Sequence, residues 1–124
     1  MCTNKLEWLS RKLLGALGLA DRFAAICGAD TFGVQKPDAA ILRGTVARAG
    51  GNVEEAIMVG DAITDIAVAR AAGIPVIAVD FGYSETPVAA LGPDRIVSRF
   101  ELLPEVVVAL LTTRKSEFLQ KVNR

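Results

Sequence analysis

Apolar positions along the chain fall into two kinds of spacing. Leu6, Leu9, Leu13 and Leu17 recur at intervals of three and four, with Lys5, Glu7, Arg11 and Lys12 between them, so residues 5–17 are expected to form an amphipathic helix. Thr3 or Asn4 stands where an N-cap belongs, and Gly18 stands where such a helix stops. Residues 23–28, 56–59 and 75–79 are instead unbroken apolar runs of strand length, and 96–97 is a shorter one. Helices are expected between these runs. Asp38 caps one that continues through Ala49 and ends at Gly50-Gly51, another spans 63–72 and closes at Gly73, and an apolar helix follows over 104–111. Continuous apolar strands separated by helices indicate an α/β fold with a parallel sheet covered on both faces, because a sheet with one wet face would alternate.

Length and charge narrow the classes. At 124 residues the chain suffices for one domain with a real core and not for two. Apolar residues at 52% and a mean hydropathy of +0.39 exclude a disordered chain. Fourteen Lys and Arg balance fourteen Asp and Glu, so no global field favours nucleic acid or an anionic membrane, and phosphate chemistry must come from a local site. The absence of His removes imidazole bases, His triads and His metal ligands. Cys2 and Cys27 form neither a disulfide scaffold nor a CxxC site and are expected as thiols filling core space. No apolar run reaches the ~18 residues of a membrane span, and the first residues lack the apolar stretch of a signal peptide, so the expected address is a reducing cytoplasm. Residues 1–111 are expected to form the folded unit. Residues 112–124, where Arg114, Lys115, Lys121 and Arg124 surround Phe118, Leu119 and Val122, are expected as a tail, helical or disordered.

Three short stretches carry candidate chemistry. In residues 57–66 a buried strand runs into Gly60, where the missing side chain would let a ligand approach the backbone. Asp61 follows at the strand's carboxyl end, where open α/β sheets bind ligands, and Asp65 lies one helical turn on. Two close carboxylates repel, and a hard cation such as Mg²⁺ would relieve that repulsion; equally, Asp61 could be a helix cap and Asp65 a favourable first-turn charge. Lys36, extended by Pro37 and followed by the cap Asp38, is placed to meet an anion, although most lone lysines are merely solvated. Thr3 could offer its hydroxyl and Asn4 its backbone N–H to a phosphate at a helix N-terminus, or simply cap the helix.

Taken together, Thr3-Asn4, Lys36-Pro37 and Gly60-Asp61…Asp65, in this order on successive βα units, resemble the second, third and fourth motifs of the haloacid dehalogenase superfamily. Residues 71–79, followed by Phe81-Gly82-Tyr83, are similar to its phosphoglycolate phosphatase branch. The resemblance covers about residues 2–111 and departs from the usual KPxP at Ala39. It implies a three-layer Rossmann-like core and Mg²⁺-dependent hydrolysis of small phosphomonoesters through an aspartyl-phosphate. By the same resemblance Thr3 and Asn4 bind the transferring phosphoryl group and Lys36 neutralises charge. Asp61 ligates Mg²⁺, and Asp65 is a second ligand or orients the first.

The family's first motif, DxDx(T/V), holds the nucleophile and the general acid/base, and no Asp-x-Asp occurs in this chain. The expectation is therefore the C-terminal half of a phosphatase core, lacking the central first-motif strand and the cap. Such a chain is expected to be inactive alone and to bind Mg²⁺ weakly or not at all. Its expected partners are a small phosphorylated metabolite, not nucleic acid or membrane, and either a second copy of itself or a separate N-terminal half. The alternatives are a non-catalytic binding or interaction domain, one half of a split enzyme, and a phospho-receiver domain. A receiver needs an acid pair and an acceptor Asp before its Thr, and neither precedes Thr3.

Overall fold

The computed structural model describes residues Met1–Arg124 and forms most of the elements the hydropathy pattern predicts. Helix α1 (Glu7–Ala16) begins two residues later than its apolar spacing suggests. The Lys5 N–H turns back to the Thr3 hydroxyl at 3.2 Å, and the extended Leu6 is the N-cap. Neither Thr3 nor Asn4 caps the helix. Asp30, from a distant loop, accepts the Glu7 N–H at 2.8 Å in their place. Gly18 (φ +69°) ends α1 as expected, because its left-handed backbone turns the Leu19 N–H back onto the Leu14 carbonyl.

The run at 23–28 does not become a strand. Its only ladder is one parallel bridge, Cys27 opposite Cys2, made by the Thr3 N–H to the Cys27 carbonyl (3.0 Å) and the Cys27 N–H to the Met1 carbonyl (2.9 Å). A strand needs a neighbour along its length, and beyond these two bonds the segment ending at Thr3 supplies only its terminal ammonium, which donates to the Ala25 carbonyl at 2.6 Å. Helix α2 (Ala39–Arg48) is capped by Asp38, whose carboxylate accepts the Ala40 N–H at 2.9 Å. A single 3₁₀ turn, Val53–Glu55, then delays strand β1 to Met58–Gly60. Helix α3 (Ile63–Ala72) ends at left-handed Gly73. Strands β2 (Val76–Val79) and β3 (Arg95–Val97) complete a parallel sheet of order β1-β2-β3, with Met58 opposite Val76 and Ile77 opposite Arg95.

All four residues of β2 are buried, which explains its unbroken apolar sequence. Val76 and Ala78 pack with Ile41 and Leu42 of α2 and with Ile66, Val68 and Ala69 of α3. Ile77 and Val79 point the other way, to Val97 and to Leu110 of helix α4 (Leu103–Val122). The sheet thus has helices on both faces. Helix α4 does not stop near Leu111. No Gly or Pro interrupts 105–122, and Arg114 ties the helix to the sheet by donating to the carbonyls of Ala56 (2.9 Å) and Gly73 (3.1 Å). No helix is long and apolar enough to cross a membrane.

The sheet is in two pieces, and no ladder joins them. Because Met1 and Thr3 direct their bonds to Cys27, the intervening Cys2 N–H and carbonyl point the other way, and neither has a protein partner. On β1, the Met58 N–H donates to Pro75 at 2.8 Å beside β2, so alternation turns the Val59 groups away from β2. Each piece therefore ends in a bare edge.

Candidate functional site

The carboxyl end of β1 leads through Gly60 into the first turn of α3, and the side chains of that turn fix the site. Asp65 is 5% exposed and fully engaged. Its Oδ2 accepts the N–H groups of Asp61 (3.0 Å) and Ala62 (3.1 Å), which closes the N-terminus of α3, and its Oδ1 meets Lys36 Nζ at 2.5 Å. This geometry accounts for Gly60. A Cβ there would collide with the Asp65 carboxylate, so the space the glycine leaves is filled by Asp65 and not by a ligand.

Asp61 is held differently. The loop after β2 folds over it, and Tyr83 donates its backbone N–H to Asp61 Oδ2 at 3.1 Å. Gly82 permits this approach, because a Cβ at that position would run into the same carboxylate. Asp61 Oδ1 has no protein partner, which makes it the one uncommitted carboxylate oxygen of the acid pair.

Lys36 is anchored at both ends. Its ammonium is in the ion pair with Asp65, with side chains 11% and 6% exposed. Its backbone is bound by the Asn4 side chain, whose Oδ1 accepts the Lys36 N–H at 2.7 Å and whose Nδ2 donates to the Lys36 carbonyl at 3.1 Å. The Thr3 hydroxyl accepts from the Lys5 N–H and donates to no protein group, and the Asn4 backbone N–H is likewise free. Both donors lie upstream of α1, so they are not a helix N-terminal phosphate site. Asn4, Lys36, Asp65 and Asp61 are nevertheless linked in series, by Asn4 to Lys36, Lys36 to Asp65 and Asp65 to Asp61, at one end of the sheet, and Thr3 joins them only as the residue preceding Asn4.

One ammonium against two carboxylates leaves the cluster one negative charge. A phosphate dianion would meet the Lys36 charge already matched by Asp65 and the Asp61 charge unmatched. A divalent cation would find a single free carboxylate oxygen, and no group of three metal-ligating side chains converges anywhere in the chain. The residues present do not by themselves fit Mg²⁺, which takes six oxygen ligands in near-octahedral geometry.

Beside Asp61 opens a cavity of about 360 Å³, walled by Val59, Val79, Phe81, Tyr83 and Phe100. Phe81 and Phe100 pack edge to face with ring centroids 4.8 Å apart. Sequence reasoning gave this loop no site role, although its place after a buried parallel strand marks where α/β sheets receive ligands. Cys2 is a half-buried free thiol. Burial pushes its thiol above the ordinary range, against smaller opposing effects from the Thr45 hydroxyl and Lys36.

Comparison with known proteins gives consistent results. The sequence profile of the Haloacid dehalogenase-like hydrolase family matches residues 1–79. A phosphoglycolate phosphatase of Mesorhizobium japonicum (strain MAFF 303099) is 52% identical over 103 residues, covering 83% of this chain and 45% of the relative. One of Agrobacterium fabrum (strain C58) is 46% identical over 114 residues, covering 92% and 49%. Among solved structures, that of a predicted phosphoglycolate phosphatase from Haemophilus somnus 129pt superposes with a TM-score of 0.78 at 27% identity, over 85% of this chain and 47% of the other. A conserved haloacid dehalogenase-like protein of unknown function from Agrobacterium tumefaciens C58 gives 0.77 at 27% identity, over 88% and 53%. The chain spans about half the length of the curated relatives it matches.

Proposed function

The chain belongs to the haloacid dehalogenase-like hydrolases, and from that premise we propose that it supplies the phosphate-orienting half of a phosphomonoesterase for a small phosphorylated metabolite such as phosphoglycolate. The observation that carries the reading is the serial linkage of Asn4, Lys36, Asp65 and Asp61, which gathers the second, third and fourth motifs at one end of the sheet. In this role the Thr3 hydroxyl and the Asn4 backbone N–H donate to phosphoryl oxygens, and Lys36 offsets the charge that builds up as the phosphoryl group transfers. Asp65 holds Lys36 and the first turn of α3 in place and does not touch substrate. Asp61, with one oxygen pinned by Tyr83, keeps the other without a protein partner and free for a ligand. No aspartyl nucleophile of the family's kind is available in the chain, since no Asp-x-Asp is present. The nucleophile and the remaining oxygen donors come from outside it.

The bare edges at Cys2 and Val59 support a partner that contributes an extended segment there, either a separate N-terminal half or a second copy. The balanced charge favours a small metabolite over nucleic acid or a membrane surface, and two free thiols suit a reducing cytoplasm. The residual negative charge of the cluster favours a second reading for the chain by itself, a non-catalytic binding domain.

Mixing the purified chain with the separately expressed N-terminal half of a relative, with Mg²⁺ and 2-phosphoglycolate, tests the proposal. Phosphate release that needs both polypeptides and is lost in Lys36→Ala and Asp61→Ala is expected. A complex that forms and stays inactive would leave the binding-domain reading standing and overturn the enzymatic one.

A further inference from the structure

Lys36 sits in a loop, and a lysine side chain has four rotatable bonds, so an ion pair with Asp65 alone would not fix where its ammonium stands. The backbone of Lys36 makes no hydrogen bond to any other main-chain group. Both of its polar groups go to one side chain, the Asn4 carboxamide, across 32 residues of sequence. We propose that Asn4 is a positioning residue, a two-point clamp that sets the Lys36 backbone so that its ammonium stands against Asp65. The catalytic meaning of the clamp rests on the reading of the site given above; the clamp itself does not.

The chemistry of the carboxamide explains the choice of residue. It offers an acceptor and a donor in one plane, which is what a peptide N–H and carbonyl of the same residue require. The Asn4 side chain therefore stands in for a neighbouring strand where the main chain provides none. Aspartate would keep the acceptor and set a carboxylate oxygen against the Lys36 carbonyl. Alanine would lose both bonds and leave Lys36 fixed only through Asp65. Because the side chain is committed to Lys36, the Asn4 backbone N–H alone remains for phosphate. Two functions of one residue are thus separated between its main chain and its side chain. Thr3 precedes Asn4 directly, so the same clamp holds the hydroxyl donor and the cation at a constant separation.

The test reads Lys36 directly on the 124-residue chain. In ¹⁵N-labelled protein, the Lys36 ammonium in its buried pair with Asp65 should give a slowly exchanging NH₃⁺ resonance, and the Lys36 amide should be protected from hydrogen exchange. Asn4→Ala should speed exchange of that amide at least about tenfold and broaden or shift the ammonium signal, with the thermal unfolding midpoint little changed. Asn4→Asp, nearly isosteric and still an acceptor, should keep most of the amide protection and still move the ammonium signal. In the two-part enzyme, Asn4→Ala should lower kcat by about 10- to 100-fold with KM nearly constant, as expected when a charge is displaced by about an ångström. If Lys36 exchange and the ammonium resonance match wild type in both variants, the clamp is refuted. If they change while kcat does not, the clamp has no positioning role in the reaction, and the phosphatase reading stands. If wild type itself shows no turnover, that reading fails, and the resonance data alone decide whether Asn4 sets Lys36.

Discussion

The ammonium of Lys36 and the carboxylate of Asp65 meet at 2.5 Å across 29 residues of sequence, in surroundings that leave each side chain almost no contact with water. The pair has two consequences, one for stability and one for chemistry. A charge at such depth is tolerated only with its partner, because desolvation is repaid by the opposite charge and by hydrogen bonds to the remaining oxygens. Asp65 has those bonds, from the N–H groups of Asp61 and Ala62. The same bonds leave it no oxygen for a ligand.

Removing either member should therefore be costly. Lys36→Met and Asp65→Asn are each expected to destabilise by about 3–5 kcal/mol, a large share of a total of roughly 5–15 kcal/mol. The double variant should recover part of the loss, since neither charge is then left alone. Urea unfolding of the four proteins measures the coupling. Strictly additive losses would show that the two groups do not depend on each other.

Metal affinity follows from counting oxygens. With Asp65 committed and Asp61 Oδ2 held by Tyr83, the chain alone is expected to show no saturable Mg²⁺ binding in the micromolar range. Paramagnetic broadening by Mn²⁺ should be weak, centred on Asp61, and absent in Asp61→Asn. Tight binding by the wild-type chain would mean that Asp65 releases Lys36 or Asp61 and Ala62 to become a ligand.

Acid stability should report on Glu7. The Thr31 hydroxyl donates to it at 2.6 Å and Arg11 at 3.0 Å, and these bonds hold its carboxyl below the ordinary 4.5. A folded-state value below the unfolded one gives stability that is present above pH 4.5 and lost as pH falls through the folded value. Glu7→Gln should flatten this acid limb and leave the slope of stability near neutral pH unchanged. An unaltered acid limb in urea titrations at successive pH values would count against these bonds.

Which parts were legible in the sequence depends on the range of the forces that set them. Helix α3 and its stop at Gly73 were readable, because apolar spacing and a left-handed glycine act within a few residues. Hydropathy starts strand β1 two residues early, since its start is set by the Met58 bond to Pro75. The run at 23–28 has strand composition but no neighbour beyond Thr3 to pair with. Apolar spacing supports the last helix only to Leu111 and leaves 112–124 helical or disordered; the choice of helix comes with Arg114 reaching Ala56 and Gly73. Motif order pointed to Thr3, Lys36, Asp61 and Asp65 as one site. It did not show that Gly60 makes room for Asp65, that Tyr83 holds Asp61 or that Asn4 grips Lys36. The last two are contacts between residues distant in sequence, and the first depends on which way the Asp65 carboxylate turns; no periodicity records either.

The bare edges lead to a prediction about association. The N–H and carbonyl of Cys2 have no partner, and the corresponding groups of Val59 face away from β2. Water can satisfy them only while the space beside β1 stays wet, and Val59 on that strand is a partly exposed apolar residue. Drying it without a partner would cost ~1–3 kcal/mol for each orphaned group. Open strand edges also template pairing with other chains. The chain at tens of micromolar is therefore expected to run larger than 13.1 kDa in light scattering after gel filtration, as a defined oligomer or as growing aggregates. A separately supplied N-terminal half should replace self-association with a one-to-one complex, and the Cys2 and Val59 amides should then become protected from exchange. A monodisperse monomer that unfolds cooperatively, with both amides exchanging freely, would show that solvent alone satisfies the edges.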